Sequence, residues 1–125
     1  MLTRKALINL LVQLHQELTV LDLTPDRMIL FGSYAKAIPH EYSDVDLAIW
    51  NKKFIGEGLI DLEWIRPILR NHRGIPSLDI KMYPAGSTSD FDPFIEEIEK
   101  TGLEWNGDTK ALNKVVPSIV YQKMI

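Results

Sequence analysis

The fold is decided by MILFGSYAK at residues 28–36 and, shortly after it, SDVDL at residues 43–47. The apolar run that opens the first motif has the length of a buried strand. Gly32 permits a tight turn and Ser33 is a good N-cap, so the pattern predicts a strand, a turn and a short helix. Backbone N–H groups at the start of such a helix favour a phosphate as their ligand.

The second motif predicts another strand, residues 44–50, with apolar side chains at every other position. Asp44 and Asp46 therefore share the opposite face of that strand, because side chains alternate along it. The same alternation recurs at residues 77–83, where Asp79 stands opposite the apolar positions. Three carboxylates are thereby predicted on the polar faces of two strands.

These three aspartates have two interpretations. Alternate polar residues are common on a strand whose one face meets solvent, and Asp-x-Asp is a weak pattern by itself. Aspartate is a poor strand former, however, and three like charges close together call for a cation. Mg²⁺ is typically bound by one or two carboxylates and substrate phosphates, and two such ions can clamp an in-line phosphoryl displacement. The residues alone favour the metal site and leave the solvated face open.

The rest of the chain alternates between helical and strand-like patterns. Leucines at helical spacing predict an amphipathic helix over residues 3–21, and residues 59–72 predict a second helix. A third helix is predicted after Asp92, which is followed by proline, and residues 102–105 predict a short edge strand. This order predicts one small α/β (α+β) domain, with a short mixed β-sheet and helices packed on one face.

The composition is that of an ordinary soluble globular chain: 125 residues, 46% hydrophobic and 25% charged, with a formal net charge of −3. This length supports a single domain with a core of its own. The absence of cysteine excludes disulfides and thiolate chemistry. Without a long Lys/Arg block we expect no extended nucleic-acid surface, and without a signal peptide or membrane span we predict a cytoplasmic protein.

The motif spacing is recognisable. Gly32-Ser33, ten intervening residues and Asp44-Val45-Asp46 resemble the signature of the DNA polymerase β-like nucleotidyltransferase superfamily. The flanking residues are similar to its small branch, the minimal nucleotidyltransferases, and residues 78–80 match the strand that carries the third carboxylate. The resemblance covers roughly residues 5–106. We therefore predict a minimal nucleotidyltransferase domain at residues 1–106 and a C-terminal extension of uncertain structure at residues 107–125.

The resemblance implies transfer of a nucleoside monophosphate from a nucleoside triphosphate to a hydroxyl group, with release of pyrophosphate. ATP is the expected donor, and two Mg²⁺ ions are the expected cofactors. The matching positions make Asp44, Asp46 and Asp79 the catalytic residues and metal ligands. The matching positions assign nucleotide binding to Gly32, Ser33 and Lys36.

The same branch implies a partner. Its members often act as antitoxins beside a HEPN-domain toxin, in characterised cases by adding AMP to a tyrosine of that toxin. Two alternatives stay open: a non-catalytic antitoxin that neutralises its partner by binding, and a small-molecule nucleotidyltransferase. Enzymes of the latter kind usually carry a further helical domain for the acceptor. Exposed apolar residues in the C-terminal extension make a homo-oligomer a further hypothesis.

Two details of the site depart from or extend the family pattern. Family members commonly read Gly-Ser-Arg-Ala-Arg-Gly, where this chain has Tyr34, Lys36 and Ala37 at the changed positions. Lysine meets a phosphate without the bidentate fork of arginine. Tyr34 has two interpretations, stacking on a nucleobase or packing on the neighbouring helix. Lys81 shares the face of Asp79, and a salt bridge with that carboxylate is expected.

Overall fold

The computed structural model of the chain describes residues 2–74, 76–108, 111–112 and 116. The elements follow in the predicted order, with boundaries that differ from the predicted ones by one or two residues. They are α1 (Arg4–Val20), β1 (Arg27–Phe31), α2 (Gly32–Ala35), β2 (Val45–Asn51), α3 (Gly58–Asn71), β3 (Leu78–Pro84), α4 (Phe94–Thr101) and β4 (Leu103–Glu104).

The four strands form one mixed sheet in the order β3-β2-β1-β4. Strand β1 runs antiparallel to both β2 and β4, whereas β2 and β3 are parallel. The carboxyl end of β1 therefore meets the amino ends of β2 and β3 at one edge of the sheet. The predicted fold class, a small single domain with a mixed sheet, is confirmed.

One face of the sheet is covered by α1 and α3. The core on this side joins apolar residues of both helices to alternate residues of the strands, among them Leu11, Leu14, Ile65, Leu47 and Ile49. The pattern arises because leucines and isoleucines recur at helical spacing on α1 and α3 and at every second position on β2. This side matches the predicted arrangement of the helices.

The other face is covered by α4, which differs from the expectation that the helices pack on one face. Ile95 and Ile98 of α4 join a second core on that side with residues of three strands, namely Ile29, Phe31, Ala48, Trp50 and Tyr83. The reason is that β1 and β2 are apolar at both sets of alternating positions, so each face needs a cover. On that face, β2 and β3 each carry an acidic residue only at the first position that they contribute to it.

The chain after β4 returns to the first core. Trp105 is buried and its indole N–H donates to the carbonyl of Asp108 at 2.7 Å. Leu112 and Val116 are buried in the same core, and the Arg4 guanidinium donates to the carbonyl of Val116 at 3.0 Å. Most of the predicted extension lies outside the described residues, including residues 119–121, whose apolar pattern is compatible with a strand, so the boundary at residue 106 stays a prediction.

No helix among the described residues is long and apolar enough to cross a membrane.

Candidate active site

The three predicted carboxylates meet at the edge where β2 and β3 begin. Asp46 and Asp79 are direct partners in the parallel ladder, so their side chains leave the sheet on the same face. Asp44 precedes β2 by one residue and lies two residues before Asp46, which puts it at the rim of that face. It was expected inside the strand and instead precedes it. Asp46 is half-buried, whereas Asp44 and Asp79 are exposed.

The ionised carboxylate of Asp46 is electrostatically unfavourable at this position. Its pKa is raised to about 6, first by burial, then by the negative charges of Asp79 and Asp44 and by a hydrogen bond with Asp79. Lys81 opposes the rise, but its positive charge is the smallest contribution. The site therefore holds more negative charge than its own cations compensate, which is the condition under which a divalent cation binds well.

Gly32 brings the turn after β1 directly against Asp46. Phe31 is the partner of Asp46 in the antiparallel ladder, so the next residue must pass over that carboxylate. A Cβ atom at Gly32 would overlap Oδ2 of Asp46, and the φ of Gly32 is +73°, in the left-handed region that favours glycine. No other residue type fits here without moving Asp46. The turn and the carboxylates thus form a single site.

The remaining residues of the turn divide between site and core. Ser33 is half-buried and Lys36 is exposed, so both are accessible to a ligand. Tyr34 is fully buried in the first core, and its hydroxyl accepts a hydrogen bond from the backbone N–H of Leu2 at 2.9 Å. Of the two interpretations of Tyr34, packing is therefore the correct one. Ala37 has a φ of +58°, so the position at which the family commonly has glycine is strained here.

Ser77 is a site residue that the sequence did not reveal. Its hydroxyl donates a 2.5 Å hydrogen bond to Oδ1 of Asp44, and its carbonyl accepts from the N–H of Val45 at 2.9 Å. Ser77 precedes Asp79 by two residues, and Asp44 precedes Asp46 by two residues. Asp46 and Asp79 are ladder partners. The register that pairs these strands also pairs Ser77 with Asp44. Predicting the contact therefore requires knowledge of the strand register, which the residue type of Ser77 does not provide.

Lys81 does not form the expected salt bridge. In the described part of the chain it has no carboxylate within 4.0 Å; its Nζ lies 5.2 Å from the centre of the Phe94 ring instead. Phe94 is 41% exposed and packs edge-on against Phe31, at 5.8 Å between ring centres. An aromatic ring and an ammonium group therefore border the carboxylates on the side of α4.

The donor set suits magnesium, although it is not closed around a common point. Among the residues that the structure describes, no three acidic, histidine or cysteine side chains are close enough together to hold a metal ion. Asp46 and Asp79 are partners in the parallel ladder, and the pKa of Asp46 is raised first by burial and then by the negative charges of Asp79 and Asp44. Carboxylate oxygens are the ligands that Mg²⁺ accepts together with substrate phosphates.

The comparison with known proteins agrees with this geometry. A model of the family described as nucleotidyltransferase domain matches residues 11–105, which contain every residue of the site. No curated protein and no solved structure shows significant similarity to the chain.

Proposed function

The chain belongs to the nucleotidyltransferase domain family, whose activity is nucleotidyl transfer, and from this premise we propose that it moves AMP from ATP to a hydroxyl group of a partner protein in the cytoplasm. The observation that supports the proposal best is the contact of Gly32 with Asp46, which is itself opposed to Asp79 in the ladder. A turn suited to phosphate and a group of carboxylates are thereby parts of one site.

In this proposal the carboxylates of Asp44, Asp46 and Asp79 hold two Mg²⁺ ions. Such ions, when bound, neutralise the triphosphate and favour ionisation of the acceptor hydroxyl. The unfavourable environment of Asp46 supports this assignment, because a cation between the acids would offset both the burial and the neighbouring negative charges that raise its pKa. Ser77 orients Asp44 through its hydroxyl.

The nucleotide phosphates bind at the turn. Gly32 lets the turn lie against the Asp46 carboxylate, the Ser33 hydroxyl and the adjacent backbone N–H groups donate to phosphate oxygens, and Lys36 adds a positive charge. The exposure of Lys36 and the half-exposure of Ser33 support this role. These contacts hold the β- and γ-phosphates, which become the leaving pyrophosphate.

The reaction is an in-line displacement. The acceptor oxygen attacks the α-phosphorus, the bond from that phosphorus to the oxygen bridging to the β-phosphate breaks, and the electron pair leaves with pyrophosphate. The hydroxyl proton passes to the carboxylate of Asp79, which is exposed and so accessible to the acceptor. A new phosphodiester joins AMP to the acceptor.

We assign the acceptor hydroxyl to a tyrosine of a HEPN-domain toxin, with this chain as its antitoxin. The assignment rests on the motif similarity to the minimal branch, in which such pairs occur. The acceptor must then come from the partner.

The test is Mg²⁺-dependent labelling of the partner from α-³²P-ATP. We expect transfer by the wild-type chain and a loss of about 1,000-fold in Asp44→Asn and Asp46→Asn, since each removes a charge that the transition state needs. Asp90→Asn, a change of an exposed aspartate on the 84–92 loop, is the matched control and should transfer at the wild-type rate. Full activity of Asp46→Asn would refute the assignment of the carboxylates.

The same experiment separates the alternatives. Neutralisation of the toxin without ATP, unaffected by Asp46→Asn, would indicate an antitoxin that acts by binding alone. Label that appears on an aminoglycoside and never on protein would indicate a small-molecule enzyme.

A further inference from the structure

Five large apolar side chains are exposed around the start of α3, at the opposite end of the sheet from the carboxylates. We call them the apolar patch; they are Ile55 (62% exposed), Leu59 (80%), Ile60 (54%), Trp64 (44%) and Phe91 (52%). The ring of Phe91 lies against Gly56, which joins the 84–92 loop to the loop before α3. Leu59, Ile60 and Trp64 follow on the first turns of that helix.

The patch is held rigidly. Asp61, in the first turn of α3, is only 1% exposed, and its two carboxylate oxygens accept hydrogen bonds from the backbone N–H groups of Ile55 at 3.0 Å and Gly56 at 2.9 Å. A buried carboxylate with two donors fixes the loop on the helix. A surface ordered in advance loses little conformational entropy when it binds a partner.

The patch is close in size to the largest apolar area that a monomer usually leaves in water. Each side chain exposes on the order of 100 Å², so the patch amounts to roughly 500 Å², at the upper end for single chains. Two such patches facing each other bury about 1,000 Å² before any rim is counted, which is the lower bound of a specific interface.

Two cations at the border of the patch are already paired within the chain. Lys53 pairs with Asp22 at 2.7 Å and lies 5.5 Å from the ring centre of Trp64, and Arg66 pairs with Glu63 on the next turn of α3. The exposed acids Glu57 and Asp90 lie beside members of the patch, and such a border attracts neither a polyanion nor a strongly acidic protein. The apolar area itself can be buried by a surface of the same kind, as in a two-fold dimer, where the same patch serves both subunits.

We propose that the apolar patch binds a second copy of this chain and forms a two-fold dimer. The patch lies beyond the carboxyl end of β2, whereas the carboxylates lie at its amino end, about 20 Å away along the strand. Dimerisation therefore leaves both candidate active sites open to nucleotide and acceptor. The proposal does not depend on the activity of those sites.

The test compares two solvent-exposed aliphatic positions on helices. Leu59→Glu places a charge in the patch, and Val20→Glu places the same charge at the end of α1, where the side chain is 85% exposed. Sedimentation equilibrium should give a dimer for the wild-type chain and for Val20→Glu. In Leu59→Glu the dimer dissociation constant should rise by at least about 100-fold, because the charge enters the interface twice.

Circular dichroism of Leu59→Glu must show wild-type helix content, and the more conservative Leu59→Ser serves as the second variant, with a smaller rise in the same direction. A wild-type chain that sediments as a monomer at every attainable concentration would overturn the proposal and leave the patch to a different protein. A Leu59→Glu variant that dimerises as tightly as the wild-type chain would also overturn it.

Discussion

The two ends of β2 each have an aspartate nearby, and the two aspartates are in opposite circumstances. At the carboxyl end Asp61 is almost fully buried, yet both of its oxygens accept backbone hydrogen bonds and the loop before α3 depends on them. At the amino end Asp46 is only half-buried, but it faces two further carboxylates, and its pKa is raised to about 6. The first arrangement stabilises the fold, whereas the second costs stability and prepares a site for positive charge.

The largest test of this contrast removes Asp61. Asp61→Ala removes the charged acceptor of the two backbone N–H groups that fix the loop on α3, so the free energy of unfolding should fall by about 3 kcal/mol. Urea denaturation measures it, and Asp26→Ala, a change of an exposed aspartate before β1, should have almost no effect. Nucleotidyl transfer by the folded fraction should be unaffected. A large loss of activity in the folded protein would mean that the two ends of β2 are not independent.

A second test concerns the hydrogen bond that orients the Asp44 carboxylate. Ser77→Ala removes the hydroxyl that orients Asp44, and we expect the transfer rate at limiting Mg²⁺ to fall about 10-fold with the stability unchanged. Raising the Mg²⁺ concentration should restore much of the rate, because the loss is one of metal affinity. Ser77→Thr keeps the hydroxyl and should stay close to the wild type. An equal loss in both variants would argue against a role for the hydrogen bond.

The third test measures how much the ionised carboxylate of Asp46 lowers the stability of the folded chain. Its pKa is higher in the folded chain than the ordinary value of 3.8, so the folded state binds the proton more tightly, and stability that is present at low pH is lost as the pH rises through about 6. Asp46→Asn does not ionise. Without metal and above pH 6 it should therefore be more stable than the wild type, by about 1 kcal/mol after allowance for solvent screening.

Urea denaturation with a chelator present, at a pH near 8 and again near 4, checks this expectation. The difference between Asp46→Asn and the wild type should shrink toward the lower pH. A variant that is less stable than the wild type at both pH values would show that the Asp46 carboxylate is a structural group like that of Asp61.

The smallest effect is expected at Ala37. Its φ of +58° costs a non-glycine residue about 1–2 kcal/mol, while glycine loses more entropy on folding, so Ala37→Gly should stabilise by about 0.5 kcal/mol. The midpoint of thermal unfolding measures this gain. A decrease would indicate that the buried methyl group of Ala37 contributes more through packing than its backbone costs.

Sequence reasoning located the elements and put the motif residues of the candidate site near one another because its signals were local. The apolar runs around residues 27–31 and 45–51, the Gly32-Ser33 turn and the spacing of Asp44 and Asp46 all lie within one segment of chain. Alternation on a strand is enough to put two acids on one face, whatever the rest of the fold does.

What escaped prediction depends on pairing between distant segments. Ser77 reaches Asp44 only through the register of β2 and β3, and Lys81 meets the Phe94 ring only because α4 covers that face. Ala48 and Trp50 share the face of Asp46 and are buried in the second core. That face of β2 was interpreted as polar because of its first residue, but most of it is buried. No local propensity encodes these relations.

The parallel pairing of β2 with β3 has a consequence for how the protein is made. Strands β1 and β2 are close in the chain and pair antiparallel, so Gly32, Asp44 and Asp46 can come together early during synthesis. Asp79 joins them only after α3 has folded and β3 has docked on β2, and β4 closes the sheet later still. In this order of assembly a nascent or truncated chain carries the first motifs without the third carboxylate, so the candidate site is complete only when the domain is nearly complete.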